Sequence, residues 1–195
     1  MKKWRLDFRI WHWVHAAVVL GLLGTVFLRK TFLGWRTNSE LLSQKLSEMN
    51  LEVTTEQAKA LATTIRAPMW EWHILLGYAL AALLVWRILL FFTDSGKRNY
   101  QNCKEETLHK KIVKLGYIAI YGILIFMAAS GLILRFHEAL GLTEEGAHTL
   151  KELHELVYNA VLIFVPLHII GVVVAETRDE KGITSDMIHG GESSK

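Results

Sequence analysis

Four long apolar runs set the strongest limit on how this chain can fold. Each run is close to the roughly 20 residues that an α-helix needs to cross a bilayer, and together they cover about residues 8–28, 69–92, 112–134 and 153–175. In lipid, only helices and closed barrels satisfy their own backbone hydrogen bonds. The sequence therefore predicts an all-α integral membrane protein, a four-helix bundle that forms one domain over residues 1–195.

Composition excludes several classes of protein. The 195 residues are 51% hydrophobic, and the formal net charge of +3 comes from Lys and Arg at the ends of the apolar runs. Because these cations do not form a basic stripe with interleaved aromatics, no nucleic-acid partner is expected. The single cysteine, Cys103, allows no disulfide within the chain, and the absence of a Cys-x-x-Cys-His motif excludes covalent, c-type haem attachment.

The distribution of Lys and Arg predicts the orientation of the spans. Thirteen of these residues lie at the amino terminus, in the second connector and in the tail (176–195), whereas eight lie in the other two connectors. Basic residues concentrate in cytoplasmic loops. Both termini are therefore predicted to be cytoplasmic.

The longest outer connector, residues 30–67, is predicted to be partly helical. Its apolar spacing indicates two short amphipathic helices, the second capped by Thr54 or Thr55. Pro68 is expected in the first turn of the second span, where its missing N–H costs nothing. The helices of this periplasmic connector would lie on the membrane, form a docking surface or fold as a cap over the bundle.

Two histidines in the fourth span, His154 and His168, indicate a cofactor. Fourteen residues separate them, so both imidazoles face the same way and lie about 21 Å apart along the helix axis. Ionisable residues inside a membrane are costly and mark functional sites. One helix thus offers metal ligands at two depths.

The predicted topology gives each of these histidines a partner. His73 lies at the outer level with His154, and His12 lies at the inner level with His168. A zinc site wants four ligands at one depth, usually with thiolates, whereas each level supplies two histidines and no cysteine. Two imidazoles per level match a haem iron clamped between helices. Small residues in the first three spans either make room for the macrocycle or allow close helix packing: Gly21, Gly24, Gly77, Ala79, Ala81, Ala128, Ala129 and Gly131.

Two further side chains bear on the inner level. Arg87 lies fourteen residues after His73, where it would pair with a haem propionate or extend to the cytoplasmic interface. His15 shares a helix face with His12, and spacing alone leaves the choice of inner ligand open. The remaining histidines are expected at the surface, with His137 and His148 as poor substitutes at the outer level: His109, His137, His148 and His189.

Several motifs in this chain resemble the bacterial cytochrome b561 and nickel-iron hydrogenase cytochrome b superfamily. The similarity covers nearly the whole chain, and its most specific part is the set of four histidines with the spacing of fourteen. The motifs are Arg9-Ile10-Trp11-His12-Trp13, Trp72-His73 with Gly77 and Arg87, Ser130-Gly131-Leu132, His154 with His168, and the tail from Ile183 to Gly190.

The resemblance implies a four-helix cytochrome of the bacterial inner membrane with two b haems. It implies that His12 and His168 ligate the inner haem iron and that His73 and His154 ligate the outer one, which favours His12 over His15. It also implies electron transfer between quinone and a periplasmic redox partner, either a c-type cytochrome or a hydrogenase-like subunit. The long outer connector departs from hydrogenase-type members, and a homodimer is compatible with the sequence.

Three functions are compatible with these features. The leading one is an electron-transfer subunit of a quinone-linked oxidoreductase. The second is a stand-alone membrane oxidoreductase that exchanges electrons between quinone and a small oxidant or reductant such as superoxide. The third is a haem-free membrane scaffold whose histidines pack or bind zinc.

Overall fold

The computed structural model describes residues 4–92, 108–178 and 181–190, and the regular structure within these ranges is entirely helical. Four of the helices are long and apolar enough to cross a membrane: α1 (Leu6–Lys30), α3 (Thr55–Phe92), α4 (Leu108–Arg135) and α5 (Glu144–Thr177). The predicted all-α membrane fold with four spans is therefore confirmed. Cys103 and the connector around it (93–107) lie outside the described residues. The structure also describes two shorter helices, α2 (Trp35–Glu48) and α6 (Ile183–His189).

The chain divides into two compact units. One comprises Met1–Ala16 and Tyr78–Lys195, and the other comprises Ala17–Gly77. Both α1 and α3 have residues in each of the two units.

In the Ala17–Gly77 unit, α2 packs on the first part of α3. Ala58 and Ala62 on α3 are buried, with 1% and 0% of their surface exposed. The Trp35 ring at the start of α2 receives the Lys59 ammonium at 5.1 Å and the Arg36 guanidinium at 5.3 Å, both measured to the ring centroid. Cations over an indole face are attracted by the ring quadrupole. The first predicted amphipathic helix is thus present as α2.

The second predicted connector helix is not a separate element, and the expected place of Pro68 is wrong. One helix, α3, runs from Thr55 through Pro68 to Phe92. It begins at a capping box, in which Thr54 Oγ1 accepts from the Gln57 N–H at 3.2 Å and Gln57 Oε1 accepts from the Thr54 N–H at 2.9 Å. The residues that follow the cap are strong helix formers. Pro68 removes a single backbone hydrogen bond, which a helix flanked by such residues tolerates.

One face of α5 carries large apolar side chains that the described part of the chain leaves exposed. Ile163, Leu167 and Ile170 are 62%, 60% and 58% exposed, whereas Tyr158 and Val161 on the opposite side are buried. A contiguous apolar face of this size would be unstable in water. The distribution matches a helix with one face on protein and the other on lipid.

Candidate functional site

The start of α1 is fixed by a hydrogen bond from Trp11. Its indole Nε1 donates to the Leu83 carbonyl oxygen of α3 at 2.7 Å, and the side chain is 2% exposed. Buried indole N–H groups need such a partner. Because Trp11 directly precedes His12, this bond sets the rotation of α1 at the histidine.

Arg9 and Trp13 hold the carboxyl-terminal helix, α6, against the same end of α1. Arg9 Nε and Trp13 Nε1 each donate to the Met187 carbonyl oxygen at 3.2 Å, and Arg9 also donates to the Ile188 carbonyl oxygen. These carbonyls belong to the last turn of α6, where a cation is favourable. Three residues of the Arg9–Trp13 motif therefore anchor α1 around His12.

Replacing Trp11 with phenylalanine is expected to destabilise the protein by about 1 kcal/mol, because the buried hydrogen bond to Leu83 is lost while most of the ring volume remains. Thermal unfolding in detergent measures the change. Trp72→Phe is the matched control, since Trp72 is 61% exposed. An equal loss of stability in both variants would show that the Leu83 bond contributes nothing specific.

His12 of α1 and His168 of α5 face each other. Their ring centroids lie 6.3 Å apart, with 60° between the ring planes. The His168 ring also stacks on Phe164 at 5.7 Å and meets the edge of Tyr117 at 6.0 Å. The structure therefore brings together the two histidines that the sequence places at the inner level.

The distance between these rings fits two axial ligands of one iron. A bond between a metal and an imidazole nitrogen is about 2 Å long, so rings bound on opposite sides of one metal have centroids about 6 Å apart. The observed 6.3 Å meets this requirement. The donor set at this level, two imidazoles on facing helices, is the set that haem iron takes when its other four ligands are porphyrin nitrogens.

The rival inner histidine, His15, has different neighbours. Its ring stacks on Trp11 with centroids 4.8 Å apart. Its Nε2 is buried and has no hydrogen-bond partner among the described residues. The structure thus pairs His12, rather than His15, with the His168 ring.

Arg87 lies inside a cage of aromatic rings. Its guanidinium carbon lies 5.2 Å from the Phe8 ring centroid, 5.5 Å from that of Trp11 and 5.8 Å from that of Tyr121. Arg87 Nε also donates to the Tyr121 hydroxyl at 3.2 Å. Guanidinium groups stack on aromatic faces in this way. A fixed positive charge therefore stands beside Trp11, the neighbour of His12 in sequence.

His73 lies in the Ala17–Gly77 unit and contacts a hydroxyl group of α1. Its Nδ1 is 2.7 Å from Thr25 Oγ1, which lies 2.7 Å from the Leu22 carbonyl oxygen. The Trp70 ring meets the His73 ring edge-on at 5.4 Å. Thr25 is 7% exposed, so this contact is shielded from water.

His154 lies in the other unit and has the same kind of neighbour. Its Nδ1 is 2.7 Å from Ser130 Oγ on α4, and Ser130 Oγ lies 2.7 Å from the Phe126 carbonyl oxygen. Ser130 is 1% exposed. A Cβ added at Gly131 would lie 3.5 Å from His154 Cε1, an ordinary van der Waals contact, so the backbone of α4 passes close to the ring.

Gly24 and Gly77 have no neighbouring side chain against them among the described residues. A Cβ added at Gly24 or Gly77 would meet no described atom within 4 Å. Gly77 lies one turn from His73 on the same helix face. At Gly21, by contrast, a Cβ would lie 3.0 Å from Leu76 Cδ1, so that glycine serves close packing. Within this unit, the space beside Gly77 therefore lies on the same face of α3 as His73.

Sequence reasoning missed the side chains that support the histidines. Thr25 carries no local signal, because its contact with His73 depends on how two helices face each other. Ser130 belongs to one of the motifs that the chain shares with the superfamily, but this motif does not indicate that the Ser130 hydroxyl contacts His154. The sequence places Trp11 in the first span as an aromatic residue, but it does not indicate that the indole donates a hydrogen bond to α3.

Comparison with known proteins gives one match. A family model described as prokaryotic cytochrome b561 matches residues 3–190, and with them all four predicted ligands. Searches of curated proteins and of solved structures give no match.

Proposed function

The chain belongs to the prokaryotic cytochrome b561 family, and we propose that it carries two b haems and transfers electrons between quinone and a redox protein outside the membrane. Membership makes it a multi-pass membrane protein that binds haem b and acts in electron transfer. The proposal adds the number of haems, their ligands, the quinone and the partner. It also adds a location in the bacterial inner membrane with both termini in the cytoplasm, which the distribution of Lys and Arg supports.

The observation that carries the proposal is the pairing of His12 with His168. Their facing rings, 6.3 Å apart, suit the two axial positions of one haem iron. When bound, the haem supplies one-electron chemistry. With His12 and His168 both bound to it, the iron would have no open position for oxygen, which favours electron transfer.

His73 and His154 are proposed as the ligands of the outer haem. Each ring has its Nδ1 on a buried hydroxyl, and Nε2 is the nitrogen that we propose binds the metal. The open space beside Gly24 and Gly77 supports a macrocycle next to His73. Haems at two depths would divide electron transfer across the membrane into two shorter steps.

Arg87 is proposed to hold a propionate of the inner haem. The aromatic cage fixes the guanidinium on α3, at the inner level that the sequence indicates. Arginine binds carboxylates through parallel N–H donors. Its charge would also favour the reduced form of a nearby haem, because reduction adds a negative charge.

Electron flow through the protein can be tested in sealed vesicles. Purified protein is reconstituted in liposomes that contain ferricyanide, an oxidant that does not cross lipid, and a quinol is added. We expect quinol-dependent loss of the ferricyanide absorbance. During turnover, the α band should show that the haem is partly reduced. Removing one ligand, in His168→Ala, should lower the rate at least tenfold because one redox centre is missing.

The matched control is His148→Ala, whose side chain is 69% exposed and outside the proposed ligand set. It should retain the rate of the unaltered protein. A rate that is unchanged in His168→Ala, or no quinol-dependent reaction in the unaltered protein, would contradict transfer from quinone across the membrane.

A further inference from the structure

The two outer histidines share a supporting arrangement in separate parts of the protein. In each, a buried hydroxyl lies 2.7 Å from the imidazole Nδ1 and 2.7 Å from a backbone carbonyl oxygen of its own helix. Thr25 of α1 supports His73 of α3, and Ser130 of α4 supports His154 of α5. A hydroxyl that faced the ring by chance of packing would not be expected twice with the same distances.

The carbonyl oxygens determine where the protons lie. A carbonyl only accepts hydrogen bonds, so the hydroxyl satisfies it by donating its single hydrogen. The hydroxyl oxygen then accepts, and Nδ1 must be the donor. If the hydroxyl donated to Nδ1 instead, two oxygens would face each other at 2.7 Å with no proton between them. The chain of bonds therefore runs from Nδ1–H to the hydroxyl and on to the carbonyl.

This direction fixes the tautomer of both histidines. With the proton on Nδ1, the lone pair is on Nε2, the nitrogen available to a metal. The hydroxyl is also a stronger acceptor because it donates to the carbonyl at the same time. A ligating histidine that donates its second N–H in this way is oriented, and its basicity rises.

We propose that Thr25 and Ser130 are positioning residues of the outer haem, which hold the proton of His73 and His154 on Nδ1, place the lone pair on Nε2 and strengthen its donation to the iron. The inference rests on the proposed role of these two histidines as ligands. The two hydroxyls lie on the outer histidines, whereas the described neighbours of His12 and His168 at the inner level are aromatic rings. The effect of the hydroxyls is therefore specific to one of the two haems.

Removing a hydroxyl should make the outer haem easier to reduce. Stronger imidazole donation stabilises ferric over ferrous iron, so Thr25→Val and Ser130→Ala should each raise the reduction potential of the outer haem. A change of up to about tenfold in the reduction equilibrium is expected for the loss of one hydrogen bond, and tenfold corresponds to about 59 mV for one electron. Redox titration of the purified holoprotein, followed at the α band and by electron paramagnetic resonance, measures both haems.

Two further variants separate this role from a general structural one. Thr25→Ser keeps the hydroxyl and should keep the potential of the unaltered protein. Thr31→Val removes an exposed hydroxyl, which donates to the Phe27 carbonyl at 2.7 Å, and should change neither haem. A selective loss of the outer haem in Ser130→Ala, with the inner haem retained, also supports the positioning role, since such partners contribute to metal retention.

Three results would overturn the inference. The first is unchanged potentials and resonance signals in both Thr25→Val and Ser130→Ala with two haems bound. The second is an equal shift of both haems, and the third is a loss of both haems. Failure of the underlying function is distinguishable, because His73→Ala and His154→Ala would then leave both haems in place.

Discussion

Replacing His168 with alanine is expected to remove one of two b haems and to leave the other bound. The His168 ring faces the His12 ring at 6.3 Å, so alanine at either position deprives the same iron of an axial ligand. His12→Ala should therefore give the same spectrum and the same haem-to-protein ratio as His168→Ala, about one haem per chain instead of two. Reduced-minus-oxidised spectra and a haem assay of the purified protein measure both quantities.

His15→Ala is the control for this prediction. His15 lies one turn from His12 and stacks on Trp11, so its loss disturbs the same region without removing a proposed ligand. It should retain both haems. If His15→Ala abolished the inner haem while His12→Ala spared it, the assignment of the inner ligand would be wrong.

Replacing His73 or His154 with alanine is expected to remove the other haem. The loss should again be about one haem per chain, and the remaining spectrum should differ from that of the inner-ligand variants because the two haems have different surroundings. Aromatic rings flank the inner histidines, whereas buried hydroxyls support the outer ones. The reduction potential of the haem that remains identifies which of the two was lost.

His137→Ala is the control at the outer level. Its Nδ1 lies 3.0 Å from the Leu134 carbonyl oxygen, and the residue follows the end of α4. It should keep two haems. Loss of the outer haem in His137→Ala, with both haems intact in His154→Ala, would assign the ligand to the connector rather than to α5.

The spans were predictable because lipid imposes a simple demand. About twenty apolar residues per crossing are required, and the run at 153–175 lies inside one long helix, α5. The boundary of α3 was not predictable on the same grounds. In the sequence, Pro68 suggests the first turn of a helix. The helix in fact begins earlier, at the capping box of Thr54, and Pro68 lies in the interior of α3. A proline alone does not reveal whether a capped segment precedes it.

The candidate site was predictable in part. Helical periodicity predicts that His154 and His168 lie on one face of their helix. The predicted depths of the histidines pair His12 with His168, and the structure brings these two rings together. Spacing leaves His12 and His15 equivalent, because they share a helix face. The choice between them depends on how α1 is rotated, which the bond from Trp11 to α3 helps to set.

The hydroxyl partners of the outer histidines lay beyond sequence reasoning. Thr25 and His73 are 48 residues apart, and Ser130 and His154 are 24 apart. Contacts of this kind depend on the relative rotation and height of two helices, which no local pattern encodes. Serine and threonine are also common in membrane helices for packing alone, so their presence does not indicate support of a ligand.

The pairing of ligands is tested most directly by the haem-to-protein ratio of two double variants. When two residues bind the same haem, replacing both removes no more haem than replacing one. When they bind separate haems, the losses of haem add. His12→Ala combined with His168→Ala should retain about one haem per chain, no fewer than either single variant. His12→Ala combined with His73→Ala should retain none. Loss of both haems in the first double variant, or retention of one in the second, would contradict the arrangement of two haems between these four histidines.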